Sequence, residues 1–136
     1  MQLNPYLNFN GQCEEAFKTY EKCLNGKIEF IMTHEQAPMA DKIPPEWKKK
    51  IMHATLRFGE QVIMGADAPP QYYQQPQGFS VSVGLNDPAE AERIFKELSA
   101  GGVVRMPLEK TFWAERFAMF TDRFGIPWMI NCEAAA

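Results

Sequence analysis

The sequence predicts an α+β fold in which two tandem βαβββ modules form a curved mixed sheet around a cleft. Three observations predict it: a repeated order of segments, helical spacing of apolar residues at two places, and a hairpin-like turn near the end of each half. The first module covers residues 1–67, the second covers residues 78–133, and residues 68–77 connect them. The 136 residues, 46% of them apolar, suffice for one domain with a core.

Each module begins with an extended segment, a turn and an amphipathic helix. Residues 3–28 and 79–104 share this order, and in both the helix ends at glycine before a β-branched strand. Asp87 and Pro88 have the residue types expected at a helix N-cap and in the first turn. Apolar residues at helical spacing predict one buried face on each helix. These residues are Ala16, Phe17, Tyr20, Cys23 and Leu24 in the first helix, and Ala91, Ile94, Phe95 and Leu98 in the second.

Three strand-like segments follow each helix. In the first half they read KIEFIMTH, KIMHATLRFG and QVIMGAD, and in the second half VVRMPLE, ERFAMFTD and IPWMINC. A short turn, RFGEQ or TDRFG, separates the last two segments of each half, as in a hairpin. The predicted order is therefore βαβββ in both halves.

Alternation along the outer strands assigns side chains to the two faces of each sheet. Within residues 79–85 the apolar side chains alternate with serine and glycine. The apolar set is expected to meet the helix, which turns the polar set toward the cleft. We also assign to the cleft one tryptophan from the segment 109–117, which is expected to cross its mouth. The predicted ligand-binding residues are Tyr6, Asn8, Met64, Ser80, Ser82, Trp113, Met129 and Asn131.

Composition argues against several classes of function. The net charge is −3, the pI is near 5.4 and the longest basic run is Lys48–Lys50, so we expect no nucleic-acid partner. No apolar run approaches the ~20 residues of a membrane helix, and the first residues do not resemble a signal peptide. The three cysteines lack CxxC spacing and are expected to be free thiols. We therefore predict a cytoplasmic protein without a membrane partner.

The paired modules resemble the vicinal oxygen chelate superfamily, which includes glyoxalase I, bleomycin-resistance proteins and extradiol dioxygenases. Three segments, NPYLNFNGQCEEAFKTYEKCL, IMGADAP and FGIPWMINC, are similar in order and spacing to its PhnB-like branch. That branch often carries the label 3-demethylubiquinone-9 3-methyltransferase. The resemblance covers essentially the whole chain. It implies a homodimer, because family members usually complete the cleft by pairing modules within or between chains.

The resemblance also implies where a metal would bind. In metal-dependent members the ligands come from the first and last strand of each module. These positions map to Asn4 (or Pro5 with a shift of one residue), Met64, Ser80 and Met129. None is His, Asp or Glu, and a thioether is a poor ligand for hard or borderline divalent ions. We therefore expect no tightly held metal and no other cofactor.

The sequence identifies no catalytic residue. His34 and His53 lie near the end of the second strand and the start of the third, where we expect surface or hydrogen-bonded roles. Either could act as a general base if it reaches the cleft. The pair Gly101–Gly102 follows a helix and precedes a strand, the reverse of the strand–turn–helix order that binds S-adenosylmethionine. This order argues against methyl transfer.

The leading hypothesis is binding of a small organic ligand in the cleft, with turnover left open. One alternative is a metal-dependent isomerase, lyase or dioxygenase of the glyoxalase type that uses ligands outside the mapped positions. Another is sequestration of an antibiotic, as in bleomycin-resistance proteins. The sequence does not identify the ligand.

Overall fold

A computed structural model describes residues 1–38 and 43–133 of the chain. The chain divides into two units, Met1–Gln74 and Gln75–Ala136. Each unit holds one α-helix and one four-stranded mixed sheet, which confirms the α+β class and the repeated βαβββ order. The predicted connector, residues 68–77, spans the boundary between the units. Neither α-helix of the described residues is long and apolar enough to cross a membrane.

The first unit has its parallel strand pair at one edge of the sheet. Its strand order is β1-β4-β3-β2, with β1 parallel to β4 and the other neighbours antiparallel. Short 3₁₀ turns at His34–Gln36 and Pro45–Trp47 lie between β2 and β3. The elements are β1 (Tyr6–Phe9), α1 (Cys13–Leu24), β2 (Lys27–Thr33), β3 (Ile51–Phe58) and β4 (Gln61–Asp67).

The second unit repeats this topology. Its strand order is β5-β8-β7-β6, and β5 is parallel to β8. The elements are β5 (Val81–Leu85), α2 (Pro88–Ser99), β6 (Val103–Glu109), β7 (Arg116–Thr121) and β8 (Pro127–Cys132). The short β7–β8 connection has a glycine with positive φ, Gly125 at 93°, as a tight hairpin turn requires.

The core of the first unit lies between α1 and one face of the sheet. Leu7 and Phe9 of β1 are fully buried, and the ring of Phe9 meets that of Phe17 edge to face at 6.0 Å. Gly65 of β4 pairs with Leu7 and lies under the Phe17 ring. A Cβ at position 65 would stand 2.8 Å from the Leu7 carbonyl oxygen. The close approach of helix and sheet therefore requires a glycine at this position. Burial of each such aromatic side chain contributes roughly 1.5–3 kcal/mol.

The core of the second unit is built on the same plan with different side chains. Ile94 and Leu98 of α2 are buried, as are Trp128 and Ile130 of β8, which confirms the predicted helix face. The Asp87 carboxylate accepts a hydrogen bond from the Ala89 N–H at 3.0 Å. The predicted N-cap of α2 is thereby confirmed.

Two buried aspartates tie chain turns to the strands. The Asp67 carboxylate accepts from the N–H groups of Cys13 and Ile51 at 2.9 and 2.8 Å. Asp122 accepts from the Trp128 indole N–H at 2.8 Å and from two N–H groups of its own turn. Buried carboxylates are stable when their oxygens are hydrogen-bonded in this way. Both aspartates therefore have structural roles.

Candidate functional site

We call the sheet face opposite the helix the open face of each unit. In the first unit one row of side chains crosses this face, because residues opposite one another on paired strands point the same way. Tyr6 pairs with Met64, Met64 pairs with Thr55, and Thr55 pairs with Phe30. The row runs from a phenol through a thioether and a hydroxyl to a phenyl ring. It is amphipathic along its length.

His53 stands beside this row and joins two of its members. It lies two residues before Thr55 on β3 and therefore shares the open face. The Tyr6 Oη is 3.2 Å from His53 Nδ1, and His53 Nε2 is 3.1 Å from the Thr55 Oγ1. The ring of Phe30 lies 5.9 Å from the imidazole. Of the two histidines whose roles the sequence left open, His53 is the one that the structure places in a polar cluster on the open face.

Tyr6 is the accessible end of this cluster. Its side chain remains 45% exposed, so an incoming ligand can reach the phenol. Partial burial raises the pKa of Tyr6 above its usual value, and electrostatic repulsion from Cys13 raises it further. The phenol is therefore protonated at neutral pH and can donate a hydrogen bond. Asn8, also predicted for the site, is exposed on the same face opposite the small residue Ala66.

The open face of the second unit carries a row of thioethers. Ser82 pairs with Met129, Met129 pairs with Met119, and Met119 pairs with Met106. Methionine side chains are unbranched and polarizable, so they adapt to ligands of irregular shape. One hydroxyl followed by three thioethers makes this row softer and less polar than that of the first unit.

Aromatic rings and one amide stand beside the methionine row. Asn131 pairs with Phe117 on the open face, and the Phe117 ring meets that of half-exposed Trp113 edge to face at 5.3 Å. The Asn131 Oδ1 is buried and accepts no hydrogen bond from residues 1–38 or 43–133. A buried acceptor without a donor costs about 1–3 kcal/mol. A water or ligand N–H or O–H at this point would remove that cost.

The predicted site residues fall in three kinds of place. Tyr6, Asn8 and Met64 are on the open face of the first unit. On the open face of the second unit are Ser82, Met129 and Asn131, and Trp113 lies in the β6–β7 loop. Asn4 and Ser80, two of the mapped metal-ligand positions, precede β1 and β5. The residues that pair with Met64 and Met129 are Tyr6 and Ser82. Each lies two positions after a mapped position, Tyr6 after Asn4 and Ser82 after Ser80.

The metal implied by the resemblance does not fit these side chains. The mapped positions offer an amide, a hydroxyl and two thioethers, and the strand register adds a phenol and a second hydroxyl. In the part of the chain that the structure describes, no three His, Cys, Asp or Glu side chains come together. Zinc, nickel, manganese and iron sites in proteins are built from imidazole, carboxylate or thiolate ligands. The donor set is therefore unsuited to a divalent ion.

The buried cysteines are poorly suited to act as nucleophiles. Burial raises the pKa of the Cys13 thiol, and the carboxylates of Asp67 and Glu14 raise it further. The pKa of the Cys132 thiol is likewise raised, first by burial and then by Glu115. Since the thiolate is the reactive form, both cysteines serve the core.

Comparison with known proteins shows the family of the chain. Protein YjdN of Escherichia coli (strain K12) is 33% identical over 139 residues, which cover 96% of this chain and 95% of that protein. Protein PA1353 from Pseudomonas aeruginosa is 47% identical in its crystal structure, with a TM-score of 0.91 and 99% of each chain covered. A PhnB protein from Bacillus cereus shares the fold at 22% identity, with a TM-score of 0.82 over 97% of this chain and 99% of that one.

The family model adds a match over nearly the full length. It is described as 3-demethylubiquinone-9 3-methyltransferase and matches residues 1–131, which include both helices and seven strands completely. The expected resemblance is thus confirmed at the level of family and fold. The chain belongs to the 3-demethylubiquinone-9 3-methyltransferase family.

Proposed function

We propose that this protein binds a small, largely apolar organic ligand on the open faces of its sheets, without a chelated metal. One observation carries the proposal: each unit places a methionine beside a hydroxyl-bearing residue in the terminal strand pair where the superfamily's metal ligands are expected. These pairs are Tyr6 with Met64 and Ser82 with Met129. A phenol or alcohol next to a thioether favours organic groups over hard cations.

The surroundings of these pairs support the same proposal. Small-molecule sites are lined mostly by apolar and aromatic side chains, with a few polar groups that fix orientation. The first unit offers Phe30 and Met64 with the polar Tyr6–His53 pair, and the second offers the thioether row. The Asn131 Oδ1, which lacks a donor among the described residues, supports a ligand that carries an N–H or O–H group.

Methyl transfer is not part of the proposal, despite the description of the family. The paired glycines Gly101 and Gly102 lie between the end of α2 and the start of β6. A nucleotide-binding turn of the doubly wound type lies between a strand and the helix that follows it. Gly102 also has a packing role, because a Cβ there would stand 2.1 Å from the Thr121 carbonyl oxygen.

The experiment uses the methionines as reporters. Protein labelled with ¹³C at the methionine methyl groups would be titrated with 4-nitroanisole, a flat apolar probe without an acidic proton. We expect Met64 to shift on the open face of the first unit, and Met119 and Met129 to shift together on the open face of the second. Each face should give a dissociation constant on the order of 0.1 mM for a ligand of this size. Met1, which is fully exposed and precedes β1, is the control and should not follow the same curve.

Two results would overturn the proposal. One is the absence of any shift at the open-face methionines up to millimolar concentrations of 4-nitroanisole. The other is elemental analysis of protein purified without chelators that finds one equivalent of zinc, nickel, manganese or iron per chain. The first outcome would remove the ligand site, and the second would remove the metal-free character of the site.

A further inference from the structure

We propose that Tyr6 and His53 form a proton relay that binds an acidic hydroxyl group, such as that of a phenol or enol, and holds it as an oxyanion. The inference rests on the proposed function and specifies the chemical class of ligand for the open face of the first unit. It starts from the hydrogen-bonded chain Tyr6–His53–Thr55, which brings together side chains from β1 and β3 across the intervening strand β4.

The resting arrangement leaves the phenol oxygen available to a ligand. With Tyr6 donating its proton to His53 Nδ1 at 3.2 Å, the neutral imidazole keeps its own proton on Nε2 and donates it to the Thr55 Oγ1 at 3.1 Å. Both ring nitrogens are then satisfied within the protein. The Tyr6 Oη keeps lone pairs that can accept a hydrogen bond, and donation to the imidazole increases their basicity.

An acidic hydroxyl group completes the relay by a double proton transfer. The ligand O–H donates to the Tyr6 Oη. Its O–H bond breaks as a new O–H bond forms on Tyr6, while the original Tyr6 proton moves to His53 Nδ1. The products are a ligand oxyanion that accepts from the Tyr6 hydroxyl, and an imidazolium that donates from both nitrogens. One proton has moved from ligand to His53, and no oxidant or reductant takes part.

Aromatic rings and a hydroxyl group surround His53 on this face. Its ring centroid lies 5.7 Å from that of Tyr6 and 5.9 Å from that of Phe30, and aromatic rings can interact favourably with a neighbouring cation. The Thr55 hydroxyl accepts the second N–H. Met32, which pairs with His53, and Met64, which pairs with Thr55, carry no charge.

Charged residues of β2 and β3 lie at the far end of the same face. Arg57 follows Thr55 by two positions on β3 and donates to the Glu29 carboxylate of β2 at 2.6 Å. The two opposite charges offset each other in this ion pair. Lys27, the register partner of Arg57, adds positive charge at the far end of the face, which favours a bound anion.

The second unit shows that the fold does not require these polar groups. The position equivalent to His53, two residues before the β7 residue that pairs with a methionine, is Phe117. The position equivalent to Tyr6 is Ser82. The shared topology therefore does not itself require an imidazole at position 53, which supports a chemical role for His53.

The experiment compares 4-nitrophenol with 4-nitroanisole, which has the same shape but no acidic proton. The buffer is chosen so that free 4-nitrophenol is mostly the neutral phenol. We expect the wild-type protein to bind it with the absorbance of the phenolate, about tenfold more tightly than His53→Gln or Tyr6→Phe proteins. The variants should bind the neutral phenol, and their affinity for 4-nitroanisole should stay within about twofold of wild type.

Matched controls use the second histidine and an exposed tyrosine of the same unit. His34→Gln and Tyr72→Phe should leave the phenolate spectrum unchanged. Thr55→Val, which removes the acceptor for Nε2, should lower the bound phenolate fraction without abolishing binding. In ¹⁵N spectra of the histidine rings, the wild-type complex with 4-nitrophenol should gain a proton at His53 Nδ1 and the complex with 4-nitroanisole should not.

The outcomes separate the relay from the proposed function. If both probes bind the wild-type protein with equal affinity and bound 4-nitrophenol stays neutral, the relay is wrong and the ligand site stands. If His34→Gln removes the phenolate signal as fully as His53→Gln, the relay is also wrong. If neither probe binds, the relay and the proposed function fail together.

Discussion

The open face of the first unit carries a phenol, an imidazole and a hydroxyl in hydrogen-bonded contact, whereas the same positions of the second unit carry Ser82, Phe117 and Met119. The backbone plan is the same in both units, with equal strand order and the same parallel pair. The two units therefore differ on the face that the helix does not cover.

This difference shows that core packing constrains the residues on the helix side of each sheet and leaves the residues on the open face free to vary. Both helix faces must exclude water from a core, so apolar residues recur there in both units. The open faces are free of that requirement, and a polar group on them costs little when it is hydrogen-bonded. The polar face of the first unit and the thioether face of the second are consistent with one ligand surface suited to an acidic hydroxyl and another suited to apolar groups.

The helix starts differ as well. α1 has no side-chain cap of its own, and its first N–H, that of Cys13, is bound by Asp67 at the end of β4. α2 is capped locally by Asp87. The position equivalent to Asp67 at the end of β8 is Cys132, a buried thiol. The start of α1 therefore depends on tertiary structure, and the start of α2 does not.

The largest effect is expected from removing this tertiary cap. Asp67→Ala leaves the N–H groups of Cys13 and Ile51 buried without their acceptor, which we expect to lower the free energy of unfolding by roughly 3–5 kcal/mol. Cys132→Ala at the equivalent position removes only a buried sulfur and should cost about 1 kcal/mol. Urea unfolding followed by circular dichroism measures both. Equal losses would contradict the assigned difference between the units.

The helix faces could be predicted from sequence because their information is local. Apolar spacing within twelve residues placed Phe17 and Ile94 in the cores, and the structure confirms both. The alternation rule likewise placed Phe9 and Trp128 on the helix side, where they are buried. Each of these predictions needs only the period of one helix or strand.

The polar pair could not be predicted in the same way. Tyr6 and His53 are 47 residues apart, and their contact depends on the register of β1 against β4 and of β4 against β3. His53 lies two residues before Thr55, so alternation places both side chains on one face of β3. Alternation does not show whether that face is the open face or the helix face. The pairing of Met64 with Tyr6 and of Met129 with Ser82 likewise depends on strand register, which the sequence does not contain. The homodimer, the cytoplasmic location and the absence of a metal stay predictions.

The second prediction concerns how closely helix and sheet approach in the first unit. Gly65→Ala would place a Cβ 2.8 Å from the Leu7 carbonyl oxygen and 2.9 Å from the Phe17 ring. We expect a loss of about 2–3 kcal/mol in the free energy of unfolding, because β1 or α1 must move. The second unit tolerates Ile130 at the equivalent position, so the close approach is specific to the first unit.

Gly84→Ala is the matched control for this change. A Cβ at Gly84 meets no atom within 4 Å, and the residue lies in β5, so the change is expected to stay within about 0.5 kcal/mol of wild type. The same urea titrations measure both variants. A Gly65→Ala protein as stable as Gly84→Ala would mean that β4 lies farther from α1 than described.

The smallest effect is expected from placing metal ligands on the open face of the second unit. The experiment tests whether the side chains at these positions, rather than the backbone arrangement, are unsuited to a metal. Ser82 and Met129 pair directly, so Ser82→His with Met129→His places two imidazoles side by side on the open face of the second unit. A pair of imidazoles that binds Ni²⁺ with a dissociation constant of about 0.1 mM would stabilise the fold by about 1.4 kcal/mol at 1 mM metal. Thermal unfolding with and without Ni²⁺ measures this stabilisation.

The controls of this experiment are the single variants and the wild-type protein. Each single variant presents one imidazole and should gain less than half of the stabilisation. The wild-type protein, with a hydroxyl and a thioether at these positions, should gain none, because neither group competes with water for Ni²⁺. A double variant that gains nothing would show that the two side chains do not share a face. A wild-type protein that gains as much as the double variant would show that the chain binds a metal through other side chains, and the proposed metal-free site would then be wrong.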